Sequence, residues 1–568
     1  MAKNKVTLQV AVLLAVAFSL FAHNPVAGQV QKYLVLFKDK AGSTFATDRP
    51  EAFLSARSIQ RRQKQGIKIT PRDLPVNTNY LAAVRATGAT VIYSSRWLNA
   101  ALVQASAAQL ATVRALPSFK DFWFKKDAAG NPLTISRYRL NAEAKVKEKF
   151  ELENTEALNY GASNTQIQMI GVDKMHEKGF SGQGMLVGVF DGGFRNTNVN
   201  TAMLPIFAEN RVVGTFDFVK NLKNNADIYT QDAHGANCFS IMAGFRDGAL
   251  IGPAYKASFL LCRTEDVANE MPIEEANWLF AAEYADSAGV DVITASLGYT
   301  TFDDSRFDYT YANMNGKTTL VSTAADWAAG VGMVVVTAAG NDGASAWKYI
   351  CSPADADSVL AVGAVTATEI TAGFSSFGPS FDGRVKPDVT AMGQATVFSS
   401  ASSTTVSGNG TSYSTPLLAG MVAGFWQSQP HLSAVQVMDC IRKSGHIFST
   451  PNDRQGFGIP NFDRAVLVSQ RDYPVTAIEP NGVLRGIKLS PTLLSDSSEM
   501  CLELSSTLMG NELQLILFNM LGQVTWQKSL TVTDAKHYIT VPSNLLTGLY
   551  IMRIQNETQN TAIKIMKW

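Results

Sequence analysis

The chain has 568 residues, more than one ordinary domain uses, and its hydrophobic fraction of 46% against 17% charged residues is typical of folded globular domains. The 49 Lys and Arg residues nearly cancel the 48 Asp and Glu residues, so no basic surface is available to steer the chain to nucleic acid or to an anionic membrane. The five cysteines lack CxxC or His-rich spacing, so no metal site is predicted, and their spacing does not fix any disulfide pairing.

A short apolar run stands near the N-terminus. Lys3 and Lys5 precede the run at residues 10–21, and small residues follow at 26–28. This pattern is typical of a secretory signal peptide over residues 1–28, with a membrane anchor as the alternative. No later stretch is long and apolar enough to span a bilayer, so we predict no integral membrane segment.

Residues 29–126 show the pattern of a small α+β unit. The first helix is expected to have Pro50 in its first turn and to stop at Gly66. The order of elements predicts a βαββαβ, ferredoxin-like unit, with an independent binding module as the alternative. Its expected strands are 33–37, 90–94, 100–103 and 119–124, and its later helices are about 79–88 and 107–115. Residues 127–158 then form a charged connector, richest in Lys and Glu, where proteolysis is expected to be easy.

In residues 159–470 apolar strands alternate with helical patterns. This alternation predicts a doubly wound α/β domain with a mostly parallel sheet, in which functional residues gather at the carboxyl ends of the strands. The expected strands are 185–190, 212–216, 259–263, 290–296, 333–338 and 359–362, and the longest interior helix is 274–288. After a linker at 471–487, residues 488–568 predict a β-sandwich with strands such as 513–519, 537–541 and 550–554.

Four polar residues stand at the ends of these elements. Asp191 follows a strand and precedes two glycines, and Asn341 also follows a strand. His234 opens a helix of small residues, and Ser412 opens another helix after a Gly-rich approach. Taken singly, each residue is better explained as a turn, helix-cap or other structural residue. Together they supply what acyl transfer needs: a hydroxyl nucleophile, a base that titrates near about 6.5, a carboxylate to orient the base, and an amide donor for the oxyanion.

This set of motifs, in the order Asp, His, Ser, resembles the subtilase family of serine peptidases over about residues 160–467. The resemblance implies a subtilisin-like fold with Asp191, His234 and Ser412 as the catalytic triad. It also implies that Asn341 and the backbone N–H of Ser412 bind the oxyanion.

Two further stretches resemble the substrate-binding segments of that family. Residues 289–299 resemble the strand that pairs with an extended substrate, and residues 338–340 resemble the facing wall of the primary pocket. Tyr299 stands where many relatives have Gly, which predicts an altered rim of that pocket, and Cys238 is a departure close to His234. The substrate-binding residues implied in this way are Ser296, Leu297, Gly298, Ala338, Ala339 and Gly340.

The two flanking units also have resemblances. The N-terminal unit resembles the propeptides of this family, which act as intramolecular chaperones and inhibit by occupying the cleft. The C-terminal unit resembles the sorting domains of the type IX secretion system of Gram-negative bacteria, although their Pro-Asn-Pro opening is missing and a surface-binding sandwich is the alternative. The motifs that carry this second resemblance are 521–523, 545–550 and 563–567.

The sequence therefore predicts a secreted serine endopeptidase, free or attached to the outer surface of a Gram-negative cell. It would act on protein or peptide substrates, with its own propeptide in cis and the secretion machinery as partners. The alternatives are a catalytically silent surface adhesin on the same scaffold and an esterase that uses the same triad. No cofactor is expected to be required, and no Asp-rich loop predicts the structural calcium common in this family. The preferred substrate side chain and the maturation sites are not fixed by the sequence.

Overall fold

The computed structural model describes residues 30–127, 130–136, 158–474, 486–494, 499–519, 522–556 and 560–567. The predicted signal peptide, most of the charged connector and most of the linker lie outside these residues. Contacts divide the chain into one unit up to Tyr473 and a second from Pro474 onward. Among the described residues, no helix has the length and apolar character needed to cross a membrane.

The N-terminal residues form a four-stranded antiparallel sheet with three helices. The strands are β1 Gln31–Phe37, β2 Thr90–Ser95, β3 Ala100–Ala105 and β4 Phe119–Phe122, and the helices are α1 Ala56–Lys64, α2 Thr78–Ala86 and α3 Ala107–Arg114. β1 pairs with β3 and with β4, and β2 pairs with β3, so the strand order is β2-β3-β1-β4.

Two details of this unit differ from the sequence prediction. Pro50 does not belong to the first turn of α1; it opens a separate 3₁₀ turn, Pro50–Ala52. The helix begins later because the hydroxyl of Ser55 accepts the backbone N–H of Ser58 and so caps the helix N-terminus. The last strand ends at Phe122 instead of residue 124.

The large central sheet has eight strands in the order β14-β13-β12-β11-β5-β10-β6-β7, all parallel except the short β7. These strands are β5 Leu186–Asp191, β6 Val212–Asp217, β7 Leu222–Lys223, β10 Ser258–Arg263, β11 Val292–Ala295, β12 Val334–Ala338, β13 Leu360–Val365 and β14 Val389–Met392. Two short hairpins lie outside it: β8 Phe245–Arg246 with β9 Leu250–Ile251, and β15 Thr396–Ser399 with β16 Thr405–Gly408. This arrangement confirms the predicted α/β domain with a mostly parallel sheet. Because β5 lies between β10 and β11, its terminal residue Asp191 stands near the middle of the carboxyl edge.

Nine helices in the described part of this domain accompany the sheet. They are α4 Asn164–Met169, α5 Val172–Glu177, α6 Leu204–Ala208, α7 His234–Ala243, α8 Ile273–Ala288, α9 Leu320–Gly330, α10 Thr411–Ser428, α11 Ala434–Lys443 and α12 Phe462–Asp472. One apolar core packs α7 and α10 against the sheet, and a second packs α8 and α9 against it. The sheet is thus buried on both sides, which accounts for its nearly continuous apolar strands.

The N-terminal sheet packs against the second of these cores. Leu34 and Leu102 on its strands, with Trp97, belong to the same apolar cluster as Trp278 of α8. The other face of the sheet has a core of its own, which includes Val35 and residues of α2 and α3. Alternation of side chains along a strand allows one sheet to bury both faces in this way.

A buried cluster of charges accompanies this apolar contact. Asp286 of α8 is completely buried and pairs with three guanidinium groups of the N-terminal unit, those of Arg61, Arg62 and Arg96. Arg62 and Arg96 lie 2.7 Å and 2.5 Å from one carboxylate oxygen, while Arg61 binds the other. The N-terminal unit is therefore joined to the α/β domain by ion pairs that are shielded from water.

The C-terminal unit contains two β-sheets. Its strands are β17 Ile487–Ser490, β18 Leu493–Leu494, β19 Glu499–Leu504, β20 Glu512–Asn519, β21 Val524–Thr531, β22 Lys536–Thr540, β23 Gly548–Gln555 and β24 Asn560–Lys567. One sheet has the order β17-β19-β22 and the other β18-β24-β23-β20-β21. Alternate residues such as Leu513, Leu515 and Leu517 form a buried core, as the polar and apolar alternation of β20 predicts.

Candidate active site

A carboxylate and an imidazole meet at the end of β5. Asp191 is the last residue of this strand and is 1% exposed, and His234 is the first residue of α7. The Nδ1–H of His234 donates to Asp191 Oδ1 at 2.9 Å. The glycine after the histidine makes this approach possible, because a methyl group on Gly235 would stand 2.4 Å from the carbonyl of Gly193 and 2.7 Å from Asp191 Cβ.

The surroundings of Asp191 favour a positively charged imidazole. Asp191 Oδ1 also accepts the N–H of Gly192 at 2.8 Å, whereas its buried Oδ2 has no hydrogen-bond partner within the described part of the chain. The charge of Asp191 holds the pKa of His234 well above its usual 6.5, against the opposing effect of burial. The carboxylate therefore fixes the tautomer of the ring and stabilises the imidazolium.

Ser412 lies at the start of α10, beside His234 but not bonded to it. Its Oγ donates to the carbonyl of Ser296 at 3.3 Å, and no hydrogen bond of the described residues joins it to the imidazole. Cys238 lies close to both His234 and Ser412. Its Sγ is 3.9 Å from His234 Nε2 and donates to the carbonyl of Ser412 at 3.3 Å. In enzymes without substrate the bond from nucleophile to base is often long or poorly aligned, so this geometry is compatible with catalysis.

Asn341 follows β12 and is exposed at the same edge of the sheet. Its Oδ1 accepts the N–H of Thr411 at 2.8 Å and the hydroxyl of Thr411 at 3.1 Å. These bonds occupy the side-chain oxygen of Asn341, so its NH₂ group is available as a hydrogen-bond donor. The N–H of Ser412 lies in the first turn of α10, where backbone N–H groups lack the usual acceptor four residues earlier. Asn341 and Ser412, which carry these donors, line the same cavity.

A cavity of about 170 Å³ opens beside Ser412. Its lining includes five of the six predicted substrate-binding residues: Ser296, Leu297, Gly298, Ala338 and Gly340. The sixth, Ala339, does not line it; this residue is fully buried in a small apolar cluster with Ile350, Ala354 and Ala361. Neighbouring side chains of an extended segment point in opposite directions, which places Ala339 behind the wall that its neighbours form. A larger cavity of about 390 Å³, next to β6, contains none of the candidate residues.

Comparison with known proteins places this site in a family. A family model described as the subtilase family matches residues 182–458. The chain is 31% identical to subtilisin DY of Bacillus licheniformis over 273 residues, which cover 48% of this chain and 87% of that protein. It is 30% identical to thermitase of Thermoactinomyces vulgaris over 253 residues (44% and 76%) and 28% identical to subtilisin NAT of Bacillus subtilis subsp. natto over 290 residues (50% and 66%). The chain belongs to the subtilase family.

The flanking units of this subtilase also match family models. The model of a peptidase S8 propeptide domain from Bacteroidota matches residues 32–141, and that of a secretion system C-terminal sorting domain matches residues 498–567. The predicted combination of a propeptide, a subtilase domain and a sorting domain is therefore confirmed. The sorting domain points to secretion of the chain.

Tyr299 does not alter the rim of the pocket in the way the sequence suggested. It is 1% exposed, and its hydroxyl donates to Glu265 Oε1 at 2.8 Å. Glu265 itself lies behind Gly192, and burial raises its pKa to about 8. Because the hydroxyl of Tyr299 has a buried acceptor, its side chain points into the protein and does not line the mouth of the pocket.

Four residues around Ser412 were missed by the sequence analysis. Thr411 binds the side-chain oxygen of Asn341, while Thr300, Asp342 and Cys351 line the cavity. Thr411 could have been noticed as the neighbour of the nucleophile, but Cys351 stands in no motif and has no local signal. The five cysteines, all among the described residues, are free thiols.

Cys238 places a sulfur ligand next to the candidate triad residues Asp191 and His234. Ligand atoms of Asp191, His234 and Cys238 lie within 4.8 Å of one another, a grouping that could hold a metal ion. Burial raises the pKa of the Cys238 thiol, which opposes the ionisation that metal binding requires. A bound cation would also occupy the two groups that acyl transfer uses, so the absence of a catalytic metal stays our prediction.

Proposed function

We propose that this subtilase is a secreted serine endopeptidase that hydrolyses peptide bonds through an acyl-enzyme on Ser412. The observation that carries the proposal is the 2.9 Å hydrogen bond from His234 to buried Asp191, made beside a serine at a helix N-terminus. A hydroxyl is a weak nucleophile at its free pKa and needs an adjacent, oriented base. Asp191 orients the base His234, and Ser412 lines the cavity in which the substrate would bind.

The proposed reaction begins when a substrate carbonyl enters beside Asn341. Ser412 Oγ exchanges its bond to Ser296 for one to His234 Nε2, transfers its proton there and attacks the carbonyl carbon. The NH₂ group of Asn341 and the N–H of Ser412 bind the oxyanion. His234 then protonates the leaving amine, and water hydrolyses the ester in the same way. Every proton moves between the substrate and these side chains, so no cofactor is required.

The substrate backbone is expected to pair with the segment after β11. Ser296 Oγ donates to the carbonyl of Ser412 at 2.9 Å, which ties this segment to the start of α10. Gly298 is exposed, so its backbone groups are accessible to an extended peptide. Pairing of this kind recognises main chain, which favours a peptidase over an esterase as the user of the triad.

The flanking domains would control where and when this activity appears. The propeptide unit, held to α8 by buried contacts, is proposed to act in cis as chaperone and inhibitor until the connector is cut. The sorting domain would deliver the enzyme through the secretion machinery, either free or attached to the outer cell surface.

A fluorophosphonate probe tests the proposed function. We expect covalent labelling of Ser412 in the processed protein, located by mass spectrometry of the labelled peptide, together with digestion of casein. Ser414→Ala is the matched control because Ser414 is buried two residues away in the same helix, and it should keep the label. Labelling without digestion of protein substrates would support the esterase alternative, and the absence of label at Ser412 would support the silent adhesin.

The pH profile should show the influence of Asp191 on His234. Only the neutral imidazole accepts the serine proton, so kcat/KM should rise with pH through a midpoint above 6.5. The ion pair stabilises the folded protein fully below the unfolded pKa of about 6.5 and ceases to do so as the pH rises through the folded value. The enzyme therefore gains activity over the same pH range in which the folded protein loses the stabilisation from the Asp191–His234 ion pair. A midpoint at or below 6.5 would contradict the assignment.

A further inference from the structure

A buried arginine contacts the turn that follows Asp191. Arg263 is the last residue of β10, the strand beside β5, and the register pairs it with Asp191. Arg263 is 4% exposed, and its Nε–H donates to the carbonyl of Gly192 at 3.0 Å. The N–H of the same glycine donates to Asp191 Oδ1 at 2.8 Å. The arginine therefore binds the residue that holds the carboxylate of the candidate triad.

Few other groups among the described residues hold this carboxylate. Asp191 Oδ1 accepts the N–H of Gly192 and the Nδ1–H of His234, while the buried Oδ2 has no hydrogen-bond partner in the described part of the chain. The two residues after Asp191 are glycines, so neither of them has a side chain that could donate to it. The direction in which the carboxylate points therefore depends on the backbone conformation of Gly192.

A second buried carboxylate fixes the guanidinium of Arg263. Asp217 ends β6, on the other side of β10, and is 1% exposed. Its Oδ2 lies 3.1 Å from Arg263 Nη1, and Asp266 Oδ1 lies 3.7 Å from Nη2. A guanidinium is a planar fork, so a partner on one side of it also sets the direction of its other N–H groups. The pair with Asp217 thus keeps the Nε–H of Arg263 directed at the carbonyl of Gly192.

We propose that Arg263 is a positioning residue for the reaction, which aims the carboxylate of Asp191 at His234 through Gly192. This inference rests on the proposed function, because the aim of the carboxylate affects turnover only if His234 acts as the base. The arginine acts through other residues and contributes no group to the proton transfers. Even so, a displacement of about 1 Å in a catalytic group can lower the rate about a hundredfold.

The test removes the bond to Gly192 without leaving a buried charge unpaired. Arg263→Met cannot donate a hydrogen bond, and Asp217→Asn removes the charge of its partner, so the two are combined in one processed enzyme. We expect kcat for peptide substrates to fall by about tenfold to a hundredfold with KM within about twofold of wild type, because the orientation of the base matters in the transition state. Arg263→Lys keeps a charged donor on a flexible stem, so its kcat should lie between those of the wild type and the double variant.

Two further measurements separate positioning from a purely structural role. The midpoint of kcat/KM against pH should move down toward 6.5 in the double variant, because a misaligned Asp191 stabilises the imidazolium of His234 less. Loss of the positive charge of Arg263 alone would move the midpoint upward, so a downward shift reports the geometry. The low-field proton NMR signal of His234 Nδ1–H, which needs no turnover, should move upfield as its bond to Asp191 weakens.

Arg442→Met is the matched control for the loss of an arginine that pairs with a buried aspartate. Arg442 pairs with Asp388, which is 4% exposed, and donates to the carbonyl of Val359 at 2.7 Å. Asp388 directly precedes β14, so this pair lies at the amino edge of the sheet, opposite the edge at which Asp191 stands. The variant should lower the temperature of unfolding but keep the kcat and the NMR signal of the wild type.

The possible results decide between the two claims. A wild-type kcat, pH midpoint and NMR signal in the double variant, or a loss of kcat that Arg442→Met shares, would overturn the inference while labelled Ser412 still supports the peptidase. If no peptide is cleaved and Ser412 is not labelled, the inference and the proposed function both fail.

Discussion

Ser412→Ala should lower kcat for peptide hydrolysis by about a million-fold, the loss found when a triad that acts as a unit loses its nucleophile. The substitution removes the hydroxyl that we propose as the nucleophile, at the start of α10. Asn341 and the helix N–H groups stay in place, so a residual rate of roughly a thousandfold over water is expected from transition-state binding alone. Burst and steady-state kinetics on peptide substrates measure this loss.

Asp191→Asn belongs to the same series and should lower kcat by about ten-thousand-fold, because the amide can hold the ring in the wrong tautomer. The double variant should be no slower than Ser412→Ala alone, since groups that act as one unit are not additive. Mass spectrometry of the secreted proteins adds a second measurement: if the connector is cut by the enzyme itself, the Ser412→Ala chain keeps its propeptide. Full activity in either single variant would rule out the assigned triad.

The sequence predicted most of the α/β domain because short apolar strands alternate with helical patterns along it. Short apolar runs that are buried on both faces, such as β5 and β12, are rich in valine and have glycines close to both ends, which together indicate strands. The start of α1 was predicted incorrectly. The sequence predicts Pro50 in its first turn, whereas Ser55 caps the helix N-terminus. Pro suits both a 3₁₀ turn and the first turn of an α-helix, so its presence alone does not decide between them.

The sequence predicted those residues of the candidate site that stand in local motifs. Asp191, His234 and Ser412 each end or begin an element, and the order in which they occur carries the resemblance to subtilases. Ala339 was misplaced because the wall motif does not say which of its side chains faces the cavity. Cys351 was missed because its relation to Gly298 and Gly340 arises only from tertiary packing.

The buried ion pairs on Asp286 should decide how tightly the propeptide unit stays bound after the connector is cut. By itself burial would raise the pKa of Asp286, but the neighbouring guanidinium groups hold this pKa below its usual value. The carboxylate is therefore ionised above about pH 4, and the stabilisation it gives is lost only as the pH falls through that lowered pKa. A fall in pH within the neutral range should therefore not release the propeptide unit. Substitution of one residue of the ion-pair cluster should release it far more effectively.

Asp286→Asn removes the buried counter-ion of Arg61 and Arg96 and one of the two acidic partners of Arg62, which also pairs with Asp73. This loss costs about 3–5 kcal/mol and should weaken propeptide binding roughly a hundredfold to a few thousandfold. Arg61→Gln should act similarly from the other side. Arg57→Gln is the matched control on the same helix, because the Arg57 side chain is 42% exposed. Arg57 pairs with Asp291 and donates to the carbonyls of Gly184 and Gly289, so its loss should weaken binding, but less than the loss of the buried Arg61. Binding can be measured in Ser412→Ala chains with a protease site inserted near residue 148, by following dissociation of the cut propeptide. Equal effects of Arg57→Gln and Arg61→Gln would show that the buried pairs do not anchor the propeptide.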